Sequence, residues 1–419
     1  MSFMVSSRWS DVYLDAGARL LAQTGMTGAM TALLLLLQSN GAGGIAVAAL
    51  TVAVMLPSVV LAPLTGRLAD RIDSRVLIVI AGLIRAVVSV ALTMTTAPTL
   101  VVALVVTLSI GTAILQPTLG ALIPEMVTRE DLPRASAIAQ SAAIIGMMAG
   151  PALAGLLVGF FDTAAALWMN AVCALATVVA GMLIKTRRGR EREETTGDEK
   201  ANRRPWSIAT DPIIRLVTIG LAAIVGVVSA VNVIEVFFVR ETLGASEVMY
   251  GIVGTAWAAG MAVGAWFAGR IITEATSDRR LVVWLFAWLG STTVAVGIMA
   301  TVYGSAWWLV PLMATGGLFN GAQNTALGVL FGRRVPAAVR GRAQATLMGR
   351  VQATSLIGFV AAGFALELLS PRAVAAICSI GGLVILAALV PWLRRALLAD
   401  RVAERSAATA RVAVADVTA

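Results

Sequence analysis

The sequence predicts an all-α integral membrane protein, with twelve transmembrane helices in two pseudo-symmetric halves of six. Three observations carry this reading. Of the 419 residues, 58% are hydrophobic and 13% charged, against about 25% charged in an ordinary soluble domain, and the mean hydropathy is +0.87. Apolar runs of bilayer length, about 20 residues each, recur along the chain between short polar, Gly or Pro breaks. Basic residues concentrate on alternate loops. This composition excludes a disordered chain, a disulfide-stapled miniprotein and a typical cytosolic enzyme.

The runs place spans at 14–37, 44–64, 76–95, 99–123, 135–159, 164–184, 213–239, 249–269, 281–302, 306–330, 343–368 and 373–393. No apolar core precedes Asp11, so a cleavable leader is not expected. The loop after span 2 carries Arg67, Arg71 and Arg75, and that after span 4 carries Arg129 and Arg134. Arg270, Arg279 and Arg280 follow span 8; Arg333, Arg334, Arg340 and Arg342 follow span 10. Residues 185–211 hold eight more basic residues, whereas the odd-numbered loops hold Arg240 and Arg372. The positive-inside rule then puts both termini and the middle segment in the cytoplasm of a cell (inner) membrane. The +9 net charge is an orientation device rather than a nucleic-acid signal. The expected organisation is 1–184 as one half, 185–211 as a charged linker, 212–393 as the second half and 394–419 as a polar cytoplasmic tail.

The halves repeat. Arg134-Ala135-Ser136-Ala137 after span 4 corresponds to Arg342-Ala343-Gln344-Ala345 after span 10, an offset of 208 residues. The same offset carries Gly150 and Gly155 of span 5 onto Gly358 and Gly363 of span 11. Duplicated halves around a mid-membrane site are characteristic of transporters.

Chemistry is bounded by what is missing. The chain has no His, and its two cysteines, Cys173 and Cys378, sit singly inside apolar runs. His-ligated metals, a Ser-His-Asp triad and a zinc or disulfide framework are therefore excluded. No Gly-x4-Gly-Lys-Ser/Thr loop is present. No cofactor or metal is expected. The expected partners are a small-molecule substrate, protons and the lipid bilayer, with the chain acting as a monomer.

Polar residues inside the spans mark a cavity or a helix contact, because each is costly in lipid. Span 1 carries Asp15, Arg19, Gln23, Thr27 and Thr31 four apart, on one face. Span 4 carries Ser109, Thr112 and Gln116; span 7 carries Ser229, Asn232 and Glu235; span 10 carries Asn320, Gln323 and Asn324. Spans 1, 4, 7 and 10 each open a three-helix unit, so four equivalent polar faces point to one shared cavity. Gln23, Thr27, Gln116, Asn232, Asn320, Gln323 and Asn324 are the candidate lining; helix-to-helix hydrogen bonding is the competing reading. Glu235 is the one carboxylate well inside an apolar run. A charge there is expensive, which fits either a proton acceptor or an ion pair with Arg240. Asp15, four residues before Arg19, is the next candidate for proton coupling. Arg85, at the centre of span 3, needs a partner that the sequence does not identify. A structural pair and a substrate contact both remain open for it.

The loop Gly66-Arg67-Leu68-Ala69-Asp70-Arg71-Ile72-Asp73-Ser74-Arg75 resembles the signature loop of the major facilitator superfamily, with Asp73 and Ser74 departing where Gly-Arg is usual. Gly146-Met147-Met148-Ala149-Gly150-Pro151-Ala152-Leu153-Ala154-Gly155 resembles the antiporter motif of that superfamily's drug exporters, although the exporters' span 4 Arg has no counterpart. The run Leu122-Ile123-Pro124-Glu125 through Asp131-Leu132-Pro133-Arg134-Ala135-Ser136-Ala137 is similar to the branch containing the enterobactin exporter and macrolide and tetracycline/aminoglycoside efflux proteins. The resemblance implies the major facilitator fold and proton-coupled efflux of small amphipathic compounds, contributing to multidrug resistance. It also implies a gate in which Gly66, Asp70, Arg71 and Arg75 meet the start of span 11 near Arg342. An importer, uniporter or siderophore exporter on the same fold is the nearer alternative. A membrane transferase is the distant one, since its metal–diphosphate chemistry needs clustered carboxylates and only Asp70 and Asp73 lie close together in a loop beside spans.

Overall fold

The structure is a computed structural model and describes residues 7–61, 64–65, 68, 72–128, 130–186, 208 and 211–418. The first half comprises α1 (Trp9–Ser39), α2 (Gly44–Val60), α3 (Ser74–Thr93), α4 (Pro98–Met126), α5 (Leu132–Phe160) and α6 (Thr163–Leu183). The second comprises α7 (Pro212–Val228), α8 (Val231–Phe237), α9 (Glu247–Ile271), α10 (Asp278–Met299), α11 (Leu309–Arg334), α12 (Ala337–Leu368) and α13 (Pro371–Thr418). Together α7 and α8 form span 7, so the helices supply twelve spans. Ten are long and apolar enough to cross a bilayer; the other two are α2, with 17 residues, and α11, diluted by its Gly, Asn and Gln. Residues 185–211 fall outside the described part except Lys185, Thr186, Ile208 and Asp211.

Local chemistry sets the helix starts. Asp73, Asp162, Asp211, Ser246 and Ser277 each accept a first-turn N–H of the helix they precede, which satisfies a donor with no intrahelical partner. The departure at Asp73 thus has a role: its side chain caps α3. Gly41, Gly244 and Gly304 adopt positive φ and turn the chain at one end of the bundle, where a Cβ would be strained.

The last helix continues through residues 394–418: α13 runs unbroken from Pro371 to Thr418, 48 residues or about 72 Å. After Pro391 its residues are mostly Ala, Arg, Val and Leu with no Gly or Pro to stop it. Span 7 was expected as one helix, but it is interrupted between Val228 and Val231 and ends in a π-turn, Phe238–Thr242.

The apolar core is divided by depth. At the end opposite the N-terminus, where the α1–α2, α8–α9, α10–α11 and α12–α13 connections lie, one cluster joins both halves, from Leu33, Leu37 and Val47 to Val236, Phe238 and Phe359. At the other end each half has its own core. Val12, Ile78, Leu119 and Ala135 belong to one, and Ile214, Leu285, Phe331 and Leu347 to the other. The bundle is sealed at the end away from the N-terminus and split at the end that carries it.

Small residues make the seams. Gly150 lies against the backbone of Thr24 and Gly28 on α1, and Gly358 against Gly226 on α7. Gly155 meets Gly251 on α9, across the halves, and Gly363 meets Gly44 on α2, again across the halves. The glycines related by the 208-residue offset therefore occupy equivalent places in the two halves.

Candidate functional site

The candidate walls of the split between the halves are polar side chains of α1 and α4 in the first half and of α11 in the second, with the Glu235 carboxylate of α8 as the candidate roof. On one wall Gln116 (α4) donates to Gln23 (α1) at 3.3 Å, and the Thr112 hydroxyl contacts the Met26 sulfur at 3.7 Å. On the opposite wall Asn324 donates to Asn320 at 3.2 Å. These two share a face of α11 with Met313, which belongs to the joint core. Asn232 is exposed and donates to the Ser229 carbonyl at 2.9 Å.

Two candidate lining residues sit elsewhere. The Thr27 hydroxyl donates to the Gln23 carbonyl at 2.8 Å and lies over Gly150, within the α1–α5 contact. Gln323 is 2% exposed, and its Oε1 has no partner.

Glu235 is half-buried on α8, among Val233, Ile234, Val236 and Phe237 of the joint core and close to Tyr250 of α9. Its carboxylate has no hydrogen-bond or ion-pair partner among the described residues. The ion pair with Arg240 does not form. Arg240 instead contacts Glu247 at 2.5 Å and donates to the Ala245 carbonyl. Helix phase explains this, because the π-turn carries Arg240 away from Glu235 toward the start of α9. Asp15 and Arg19 do pair, at 2.7 Å. Asp15 is fully buried, and its second oxygen is unpartnered.

Arg85 is fully buried and finds no carboxylate among the described residues. It donates to the Ala22 carbonyl at 2.9 Å and to Asn170 Oδ1 at 3.3 Å. Asn170 donates in turn to Ser89 at 2.8 Å, and Ser89 to the Arg85 carbonyl at 2.7 Å. The network ties α1, α3 and α6 inside one half, away from the cleft. Asn170 was missed in the sequence; a lone Asn at the centre of an apolar span was its signal.

Of the gating residues, Gly66, Asp70 and Arg71 lie outside the described residues. Arg75 donates to the Ile184 carbonyl at 3.0 Å, within its own half. Arg342 is exposed on the first turns of α12. The antiporter-like run divides its duties: Gly146 and Gly150 pack on α1, while Pro151 and Gly155 pack on α9 of the other half.

Comparisons place this architecture. Among solved structures the chain is similar to the nucleoside transporter NupG, with a TM-score of 0.71 and 13% identity over 91% of this chain and 99% of that one. It is similar to a POT family transporter in complex with 5-aminolevulinic acid, TM-score 0.72 and 10% identity over 92% and 96%. A bacterial homolog of the human lysosomal transporter Spinster, in an inward-facing and unoccupied conformation, gives 0.65 and 13% over 93% and 95%. At such identities the likeness is one of fold. A search of curated proteins found no match. The family model described as Major Facilitator Superfamily matches residues 16–238 and 216–416. The chain therefore belongs to the major facilitator superfamily, a multi-pass membrane transporter rather than an enzyme.

Proposed function

We propose that this transporter exports small amphipathic compounds in exchange for protons, by alternating access, from the cytoplasmic side of a cell membrane. The observation that carries the reading is Glu235. It is an unpaired carboxylate at the roof of a polar-walled cleft, where a charge without a partner is costly and a proton relieves the cost. The basic loops orient the split end toward the cytoplasm, so the conformation is inward-facing. Gln23, Gln116, Asn232, Asn320 and Asn324 offer hydrogen bonds to a substrate in the cleft. The antiporter-like run at the α5–α9 seam supports exchange. Asp70, by the family resemblance, closes the inner gate against the start of α12, where the positive helix end favours an acid. The energetics suffice. A 100-fold gradient of a neutral solute costs about 2.8 kcal/mol, and one charge crossing 100 mV returns about 2.3 kcal/mol.

Everted vesicles test this directly. Vesicles containing the chain should accumulate an amphipathic dye on energisation, and a protonophore should collapse the accumulation. Glu235→Gln should abolish accumulation yet retain dye binding in detergent. Accumulation indifferent to the protonophore would remove proton coupling, and unchanged accumulation by Glu235→Gln would move the role to Asp15. Uptake in right-side-out vesicles instead would identify an importer.

A further inference from the structure

Two polar contacts at the rim of the sealed end cross from one half to the other with the same polarity, whereas deeper in the seam the Thr255 hydroxyl of α9 donates to the Met148 carbonyl of α5 at 3.0 Å in the opposite sense. Gln38, at the end of α1, donates to Glu241 Oε1 at 3.2 Å. The Ile45 N–H, in the first turn of α2, donates to Glu367 Oε1 at 3.3 Å. Both donors belong to the first half and both carboxylates to the second. They face a cavity of about 230 Å³ at the rim, bounded by the Gly41–Gly44 turn, Phe237 and Leu366.

The α2 start is unlike those of α3, α6, α7, α9 and α10, which carry a local Asp or Ser cap. Its N-cap is Gly43, which has no side chain and makes no cap. The acceptor for its first turn is therefore Glu367, from the last turn of α12. Small residues let the two elements close: Gly44 touches the Gly363 carbonyl and Leu366. A carboxylate at a positive helix end is favourable, and the benefit vanishes within one turn of separation.

We propose that Glu367 is the latch of the outer gate, capping the start of α2 from across the cleft when the outer end is closed and releasing it when that end opens. Because the cap exists in one state, it biases the two-state equilibrium without touching substrate. Glu241 and Gln38 give a second contact on the same rim. The latch rests on the alternating-access reading.

The test uses the full chain in right-side-out vesicles with a cysteine at Asn232, beneath the seal, and a membrane-impermeant thiol reagent on either face. The unsubstituted chain, whose Cys173 and Cys378 are buried, supplies the blank. Glu367→Ala should raise outer-face labelling about two- to fivefold, the range for an exposed charge at a helix end. Glu367→Gln, which keeps an acceptor without the charge, should raise it less. If wild type labels from both faces and Glu367→Ala labels from outside at the wild-type rate, the latch is wrong and alternating access stands. A probe that reacts from the inner face alone in every variant overturns both.

Discussion

Gly44→Ala tests whether close backbone approach holds the sealed end. Gly44 is the first residue of α2, and a Cβ built on it lies 2.6 Å from the Gly363 carbonyl oxygen and 2.6 Å from Leu366 Cβ on α12. A Cβ essentially never comes nearer than 3.0 Å to such an atom, so α2 and α12 must part by about 0.4 Å, from 2.6 to 3.0. The obstacle includes a backbone oxygen, which has no rotamer to change. Overpacking of this kind costs about 1–3 kcal/mol. The two helices belong to different halves, so the strain is relieved by opening the outer end rather than by unfolding. A cost of about 1.4 kcal/mol is a tenfold shift toward the outward-open state. Helix propensity favours Ala over Gly by up to about 1 kcal/mol, but it acts on α2 in both states alike and leaves their balance unchanged. Spin labels at Asn40 and Ser305, both exposed at the outer end, read the distance between halves. Gly44→Ala should add a longer population. Gly226→Ala supplies the contrast: its Cβ meets Thr354 at 2.8 Å within one half, so it should lower thermal stability and leave the distance alone. An unchanged distance distribution in Gly44→Ala, at unchanged expression, would refute the argument from close approach.

Two further outcomes follow from the packing and the charge pattern. Asn170→Ala takes an acceptor from the buried Arg85 and should cost about 2–3 kcal/mol in detergent unfolding. Arg85→Met removes the charge together with its demand and should cost less; the reverse order would show that Arg85 does more than hold α1 to α3 and α6. Cysteines at Ser39 and Thr196 should label from opposite faces of the membrane, and labelling from one face would break the twelve-span topology.

Much of this was legible along the chain because bilayer crossing is a local property. A run of about 20 apolar residues is a span wherever it occurs, and the expected spans coincide with the helices to within a few residues, apart from the extension of α13 and the interruption of span 7. The 208-residue offset likewise pointed to glycines that turn out to occupy equivalent seams.

The partners of the polar residues were decided in three dimensions. Arg85 bonds to Asn170, 85 residues away, and Glu367 to the start of α2, 322 residues away. Arg240 left Glu235 for Glu247 because a π-turn rotated it. Thr27 lies against Gly150 in the α1–α5 contact and Gln323 is buried, placements that polarity alone did not distinguish. The physical reason is that lipid treats every apolar face alike. Hydropathy fixes how many helices cross but carries no information on which faces meet. That choice falls to close packing of small residues and to the pairing of buried polar groups, and both exist only once the helices are assembled.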